Sequence, residues 1–211
     1  MASRAPYHHG DLRTALLDAA LAMVARDGAA AVSLRGVARA AGVSAMAPYH
    51  HFADRAALVA AVAAIGFDRL YADKLEALAT TGPAPRAALV AGSRAYVAFI
   101  LDNPELYRLM KAPELADRAA YPVLAAAAAR PAAKLGALVA GLGPLAISAT
   151  AAAEMLWAFA HGLGLLAIDG YLGSRAEVLA RAETGATAMI AGLVSGQRGL
   201  ALPPSRPRLG G

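Results

Sequence analysis

The chain has 211 residues, with 20 lysines and arginines against 15 aspartates and glutamates, and no cysteine. That length suffices for one domain, or a small domain joined to a larger one, around a buried core. The missing thiols exclude a disulfide framework, thiolate metal ligation and thiol redox chemistry. Residues 1–55 hold six arginines against four aspartates, and four of the five histidines; residues 56–194 balance eleven against eleven; residues 195–211 add three arginines and no acid. The basic excess suits a polyanionic partner.

The opening MASRAPYHHGDLR has no apolar run behind its arginine, so no signal peptide is expected and a cytoplasmic location is. A first helix is expected from about Asp11 to Asp27, with Leu12, Leu16, Ala19, Ala20, Met23 and Val24 on its inner stripe and Gly28 as its stop. Ser33 then caps a short helix whose Leu34, Val37 and Ala38 recur at i, i+3, i+4. Gly42 supplies the left-handed conformation of a tight turn, Val43 plugs the core, and Ser44 is expected to cap the next helix.

Two short helices hinged on a glycine, the second polar and aromatic instead of apolar, describe a helix-turn-helix DNA reader. In such a motif the start of the second helix enters the major groove, which makes Ala45, Met46, Tyr49 and His50 the groove-facing candidates. Pro48 lacks an amide donor, so that helix is expected to begin with an open turn. Ala45, Met46 and Ala47 offer base edges only apolar contact with thymine methyl groups, and polar readout falls to Tyr49 and His50, with Arg35 reaching from the preceding helix. Ser33, Ser44 and Arg55 complete the expected DNA-contacting set, Arg55 as a phosphate contact.

Val32-Ser33-Leu34, Val37-Ala38, Ala41-Gly42-Val43-Ser44, Tyr49-x-His51-Phe52 and Asp54-Arg55-x-x-Leu58 stand at fixed spacing over about residues 10–60. This stretch resembles the N-terminal signature of the TetR family of bacterial regulators. The resemblance implies an all-α dimer with a three-helix DNA-binding head and a C-terminal helical domain for ligand binding and dimerisation. The chain departs from the pattern at Ala47-Pro48, where family members commonly carry Thr-Leu or Ala-Leu.

The next helix is expected from Asp54 to about Ala79, after which Thr80-Thr81-Gly82-Pro83-Ala84-Pro85 breaks the chain. Helices follow at about 86–101 and from Asn103-Pro104 to Lys111, and one or two more between Pro113 and Ala140, where Pro122 and Pro131 must kink or divide them. The last two long helices are expected at about 145–168 and 174–194. Glu154 and His161 interrupt the apolar stretch Pro144–Ile168 where a membrane span would need about 20 mainly apolar residues, so no membrane association is expected. The domain division expected is 8–66 for DNA binding, 84–196 for ligand binding and dimerisation, and a tail at 197–211 that cannot bury enough to order itself.

Trp157-x-x-x-His161-Gly162 is similar to the Trp-x-x-x-His-Gly signature of one TetR subgroup, as are APYHHF at 47–52 and YHHGDLR at 7–13. At about 100° per residue, Glu154, Trp157, Ala158, His161 and Leu165 share one helix face while Leu156, Phe159 and Leu163 lie opposite, which suggests a helix buried on both sides. Glu154 and His161 would then be isolated polar anchors in an apolar cavity walled by Tyr96, Phe99, Tyr107, Met110 and Trp157, suited to a largely hydrophobic, neutral or weakly charged effector. The alternative is a core histidine satisfied by Glu154 or a backbone carbonyl.

Small residues at 151, 152, 162, 164, 185, 188 and 192 allow close helix approach, either across a homodimer interface or within the chain. Gly162-x-Gly164-x-x-Ala167 follows helix where a dinucleotide fingerprint requires a strand, and the histidine pairs at 8–9 and 50–51 lack metal-ligand spacing. No nucleophile, phosphate loop or paired-carboxylate motif is present, so neither a cofactor nor an enzymatic activity is expected. The expected partners are a double-stranded DNA operator, a small-molecule effector and a second copy of the chain. The competing readings are a ligand-independent DNA-binding dimer and an all-α carrier of hydrophobic molecules.

Overall fold

Helix ends in the first third of the chain are fixed by the side chains that the sequence offers as caps. Ser33 Oγ accepts the Gly36 amide at 3.1 Å and starts α2 (Leu34–Ala40), and Asp54 accepts the Ala57 amide at 2.7 Å and starts α3 (Arg55–Ala79). α2 ends with Gly42 at φ 68°, where the Gly42 amide donates to the Arg39 carbonyl and the Val43 amide to the Ala38 carbonyl. That pair of bonds satisfies the last carbonyls of the helix and turns Val43 back onto the core, which it partly joins.

The computed structural model describes residues 9–195. α1 (His9–Asp27), α2 and α3 form the head, followed by α4 (Pro85–Asp102), α5 (Pro104–Met110), α6 (Pro122–Ala140), α7 (Ala149–Ile168) and α8 (Arg175–Ser195), with short 3-10 turns between. The described residues contain these eight α-helices and no strand, as the all-α expectation required. The expected tail at 197–211 lies outside the described residues.

α3 packs on α1 at its N-terminal end and on α4, α5 and α6 along its length. One continuous apolar cluster therefore runs from Leu16, Ala20 and Val37 in the head through Leu58, Val62 and Leu70 to Tyr107, Leu124 and Ala182. A smaller cluster of Leu89, Val139, Leu156, Ile190 and Leu193 closes the far end between α4, α6, α7 and α8.

Three expectations need correction. Residues 44–51 form no full recognition helix: Ala47–His50 is a single 3-10 turn after an open turn, and no side chain caps it, Ser44 included. Buried Pro48 explains this, since its missing amide denies the segment an α-helical bond while its carbonyl accepts the His51 and Phe52 amides. Pro122 divides the 113–140 region as expected, whereas Pro131 sits inside an unbroken α6. α7 is buried on one face only, through Ala152, Leu156, Ala160 and Gly164; Met155 and Leu166 on other faces stay about half exposed.

The small residues of α7 and α8 divide into two groups. A Cβ at Gly164 would stand 2.3 Å from Ile100, and one at Gly185 would stand 2.2 Å from Phe159, so these glycines let helices of the same chain approach. Ala152 is likewise buried within the chain. Gly162 and Gly192 meet nothing within 4 Å.

By length and composition alone α6 and α7 could cross a membrane; in this fold their buried positions pack against α3, α4 and α8. Gly164→Ala should lower stability by about 1–3 kcal/mol through overpacking against Ile100. Gly136→Ala, in α6 with open space around it, should raise stability by about 0.5–1 kcal/mol through lost chain entropy. Chemical denaturation of the two variants beside the native chain checks both signs.

Candidate functional site

Two regions gather the functional groups, and α3 joins them. In the head, α2 ends in exposed Arg39 and Ala40, and Arg35 is exposed one turn earlier. The following segment leaves Ser44, Ala45, Met46, Tyr49 and His50 exposed, Met46 by 65% and Tyr49 by 44%. These exposed groups stand beside Arg35 and Arg39, which form no ion pair among the described residues. Ser33, Arg35, Tyr49 and Arg55 line one open depression between α2 and the start of α3.

Arg55 is not a free phosphate contact. Its Nε donates to the Val32 carbonyl at 2.8 Å, one terminal nitrogen donates to the Ala29 carbonyl at 3.1 Å, and the other pairs with Glu114. It ties the loop before α2 to the segment after α5, a role that sequence reasoning missed because Glu114 lies 59 residues away.

The second region is a cavity of about 280 Å³ between α3, α4, α6, α7 and the segment that follows α5. Phe67, Leu70, Tyr96, Leu135 and Trp157 give it apolar walls, and Lys74, Lys111, Arg118 and Glu154 bring charge to it. Of the expected ligand-contacting residues, Tyr96, Glu154 and Trp157 line it. Phe99 and Met110 do not, because both face the core at 2% exposure or less. Met110 instead packs where α5 crosses Gly66 of α3.

Tyr107 and His161 stand behind the wall in a hydrogen-bond chain. The Trp157 indole N–H donates to Tyr96 Oη at 3.0 Å, the Tyr96 and Tyr107 hydroxyls are 2.5 Å apart, and the Tyr107 hydroxyl lies 2.5 Å from His161 Nδ1. Only one direction lets every hydroxyl both accept and donate: Tyr96 donates to Tyr107, and Tyr107 to an unprotonated Nδ1. His161 is therefore neutral with its proton on Nε2. Its pKa is depressed accordingly, first by burial and then by the nearby Lys111 charge. His161 is satisfied by Tyr107, not by Glu154 or a backbone carbonyl, and stacks on Trp157 at 5.3 Å between centroids.

The cations were missed by sequence reasoning because residue 74 lies on α3 while 111 and 118 lie on the irregular segment after α5. Lys74 is 9% exposed, and burial alone lowers its pKa to about 8. Lys111 also falls to about 8, mainly through burial and further through Arg118. Neither has a carboxylate partner among the described residues; both rest on aromatic faces, Lys74 over Tyr96 and Lys111 over Phe67, Tyr107 and Trp157.

A lysine carrying a lowered pKa destabilises the fold. Between pH 8 and 10.5 the unfolded chain binds more protons at residue 74 than the folded one, so native stability rises with pH across that window and the cost is complete below 8. Lys74→Met should therefore raise stability by about 2–3 kcal/mol at pH 7. The gain should fade as pH approaches 10.5. Urea denaturation of both proteins across this range measures it.

Comparison with known proteins bears on both regions. The model of bacterial regulatory proteins of the tetR family matches residues 16–62, and that of the tetracyclin repressor-like C-terminal domain matches residues 89–193. A solved protein of unknown function from Rhodococcus sp. RHA1 is 34% identical, with TM-score 0.76 over 90% of this chain and 100% of its own. A transcriptional regulator from Rhodococcus sp. Rha1 is 28% identical, with TM-score 0.64 over 87% of this chain and 96% of its own. A TetR family transcription regulator from Marinobacter aquaeolei VT8, 22% identical with TM-score 0.63 over 84% of this chain and 94% of its own, shares the fold. Among curated proteins none matches.

Proposed function

We propose, since this chain belongs to the TetR family of bacterial regulatory proteins and is a DNA-binding transcriptional regulator, that it is a homodimeric repressor released from a palindromic operator by a small effector in the cavity beside Trp157. The observation that carries this reading is the span of α3. Its Leu58, Val59 and Val62 pack near the head, and its Phe67, Leu70 and Lys74 wall the cavity. At about 1.5 Å per residue the helix is roughly 37 Å long, enough to connect an occupied cavity to the DNA surface as one rigid element.

Ala45, Met46, Tyr49 and His50 read base edges, with Arg35, Ser33 and Ser44 on the flanking backbone; the support is their shared exposure on the head. Dimeric helix-turn-helix proteins bind half-sites about one DNA turn apart or a multiple of it, so an effector that favours a different separation of the two heads releases the operator. It does so only through a difference in its affinity for the two states.

The dimer is built from the outer faces of α7 and α8. Met155 and Leu166 are exposed there, with Ile147 just before α7, and Gly162 and Gly192 leave room for a partner helix. The functional division runs 8–66 for DNA binding and 84–196 for effector binding and dimerisation, with α3 linking the two. The Trp157-x-x-x-His161-Gly162 segment supports membership of the subgroup that carries that signature. A cytoplasmic location and the lack of a membrane partner accord with DNA as the target.

Tyr49→Ala and His50→Ala should lose operator binding with an unchanged melting temperature, seen by gel shift beside thermal denaturation. Arg55→Ala should instead lower head stability by about 1–3 kcal/mol, because two carbonyls lose their donor. Unchanged affinity in the Tyr49 and His50 variants would remove the assignment of the reading surface. Met155→Glu should yield monomers by sedimentation and weaken binding to a palindromic site; a persistent dimer would place the interface elsewhere.

A further inference from the structure

The cavity beside Trp157 is unusual in its charge. Three cations, Lys74, Lys111 and Arg118, face a space whose one lining acid is Glu154, exposed at the rim. None of the three forms a hydrogen bond or ion pair with an acid among the described residues. Asp68 pairs with Arg130, Asp102 with Arg175 and Glu114 with Arg55, Asp117 accepts the Ala119 amide, and Asp73 and Glu76, which flank Lys74 on α3, are exposed. Lys74 is the one buried charged residue recorded among the described side chains.

A cationic occupant would meet net repulsion. It would also find the aromatic faces taken, since Lys74 covers Tyr96, Arg118 covers Phe67, and Lys111 lies 5.2 Å from the Trp157 ring centroid. A neutral apolar occupant would fill the space but leave two desolvated ammonium groups uncompensated. An anion relieves that cost and gains charge-assisted hydrogen bonds. At about 280 Å³ the space lies at the lower edge of the range for small-molecule sites, about 300–1,000 Å³.

From this arrangement we infer that the cavity takes a small organic acid, with a carboxylate held by Lys74, Lys111 and Arg118 and an aromatic or short aliphatic body packed against Phe67, Tyr96 and Trp157. The inference rests on the reading of this cavity as the effector site and names the class of effector, in place of the neutral hydrophobic molecule expected from the sequence. It also carries a pH signature. Lys74 and Lys111 are mostly charged at pH 7 and lose their protons as pH passes about 8, so affinity for the anion should fall across that range.

The test uses three probes with one body: 4-phenylbutyrate, 4-phenylbutan-1-ol and 4-phenylbutylammonium. Each is titrated into the full-length protein while Trp157 emission is followed, and operator release is read in parallel by gel shift. The expected result is binding of the carboxylate about tenfold or more tighter than the alcohol. The ammonium compound should be the weakest of the three. That preference should be lost in Lys111→Met and Lys74→Met, kept in Lys111→Arg, and should decline as pH rises through about 8.

Equal affinity for carboxylate and alcohol, or preference for the ammonium compound, overturns the anion assignment while leaving the cavity as an effector site. A carboxylate that shifts Trp157 emission and shows the lysine dependence without releasing DNA upholds the anion site and overturns its regulatory role. If none of the three alters Trp157 emission, both ideas fall. Should a lysine variant not fold, the comparison of the three probes in the native chain decides alone.

Discussion

Everything in this molecule is arranged around the requirement that α3 satisfy two environments at once. Its first half must bury Leu58, Val59, Val62 and Ala63 against the head, and its second half must bury Phe67, Leu70 and Lys74 as one wall of a cavity. No loop intervenes, and the apolar cluster crosses from head to body without a gap. A small head of this size has limited core of its own, so sharing a helix lets it draw on the larger body for stability. The same sharing makes relative movement of head and body costly unless α3 moves as a unit, because a packed core does not deform continuously.

Polar groups in the body divide into those whose needs are met internally and those whose needs are not. In the run from Trp157 through Tyr96 and Tyr107 to His161 Nδ1 the indole and both hydroxyl protons find acceptors, and burial raises both tyrosine pKa values and lowers that of the histidine, so all stay neutral. Such a network fixes the cavity wall. Lys74 and Lys111 are the opposite case, one buried and one half-buried ammonium group offset only by ring faces. Local departures from good packing chemistry of this kind concentrate where function has overridden stability.

Much of the head was legible in the sequence because its determinants are local. Ser33, Gly42 and Asp54 act within four residues of themselves, and each cap or turn is found where the sequence offered it. The tight 3-10 turn at Ala47–His50 followed in part from Pro48, although the sequence could not tell an open first turn from the absence of a full helix. What was hidden depends on distance along the chain. Arg55 reads as a surface arginine until its partners at 29, 32 and 114 come together, and the basic wall of the cavity draws on α3 and on the segment after α5, which share no periodicity. The stripe of small residues left two readings open for a related reason: spacing shows that two helices can approach closely but not whether the second helix belongs to the same chain. Gly164 and Gly185 turned out to face Ile100 and Phe159.

Two physical routes connect the cavity to the head, and their magnitudes differ. One is the segment after α5, in which Lys111 and Arg118 reach the cavity while Glu114, between them, pairs with the Arg55 that holds the Ala29 and Val32 carbonyls. The Arg55–Glu114 pair is about 40% exposed on each side, and pairs of that kind contribute at most about 1 kcal/mol. Coupling between an effector and a distant binding site typically amounts to about 1–3 kcal/mol, which the pair cannot supply alone. The backbone bonds of Arg55 do not involve the cavity, so they hold the head together whether or not the cavity is filled. The greater share of any coupling must therefore pass through α3 as a rigid body, with Phe67, Leu70 and Lys74 displaced at one end and the base of the helix-turn-helix at the other. The segment after α5 can carry only the smaller share, and Arg118, which lies over the Phe67 ring of α3, joins the two routes at the cavity itself.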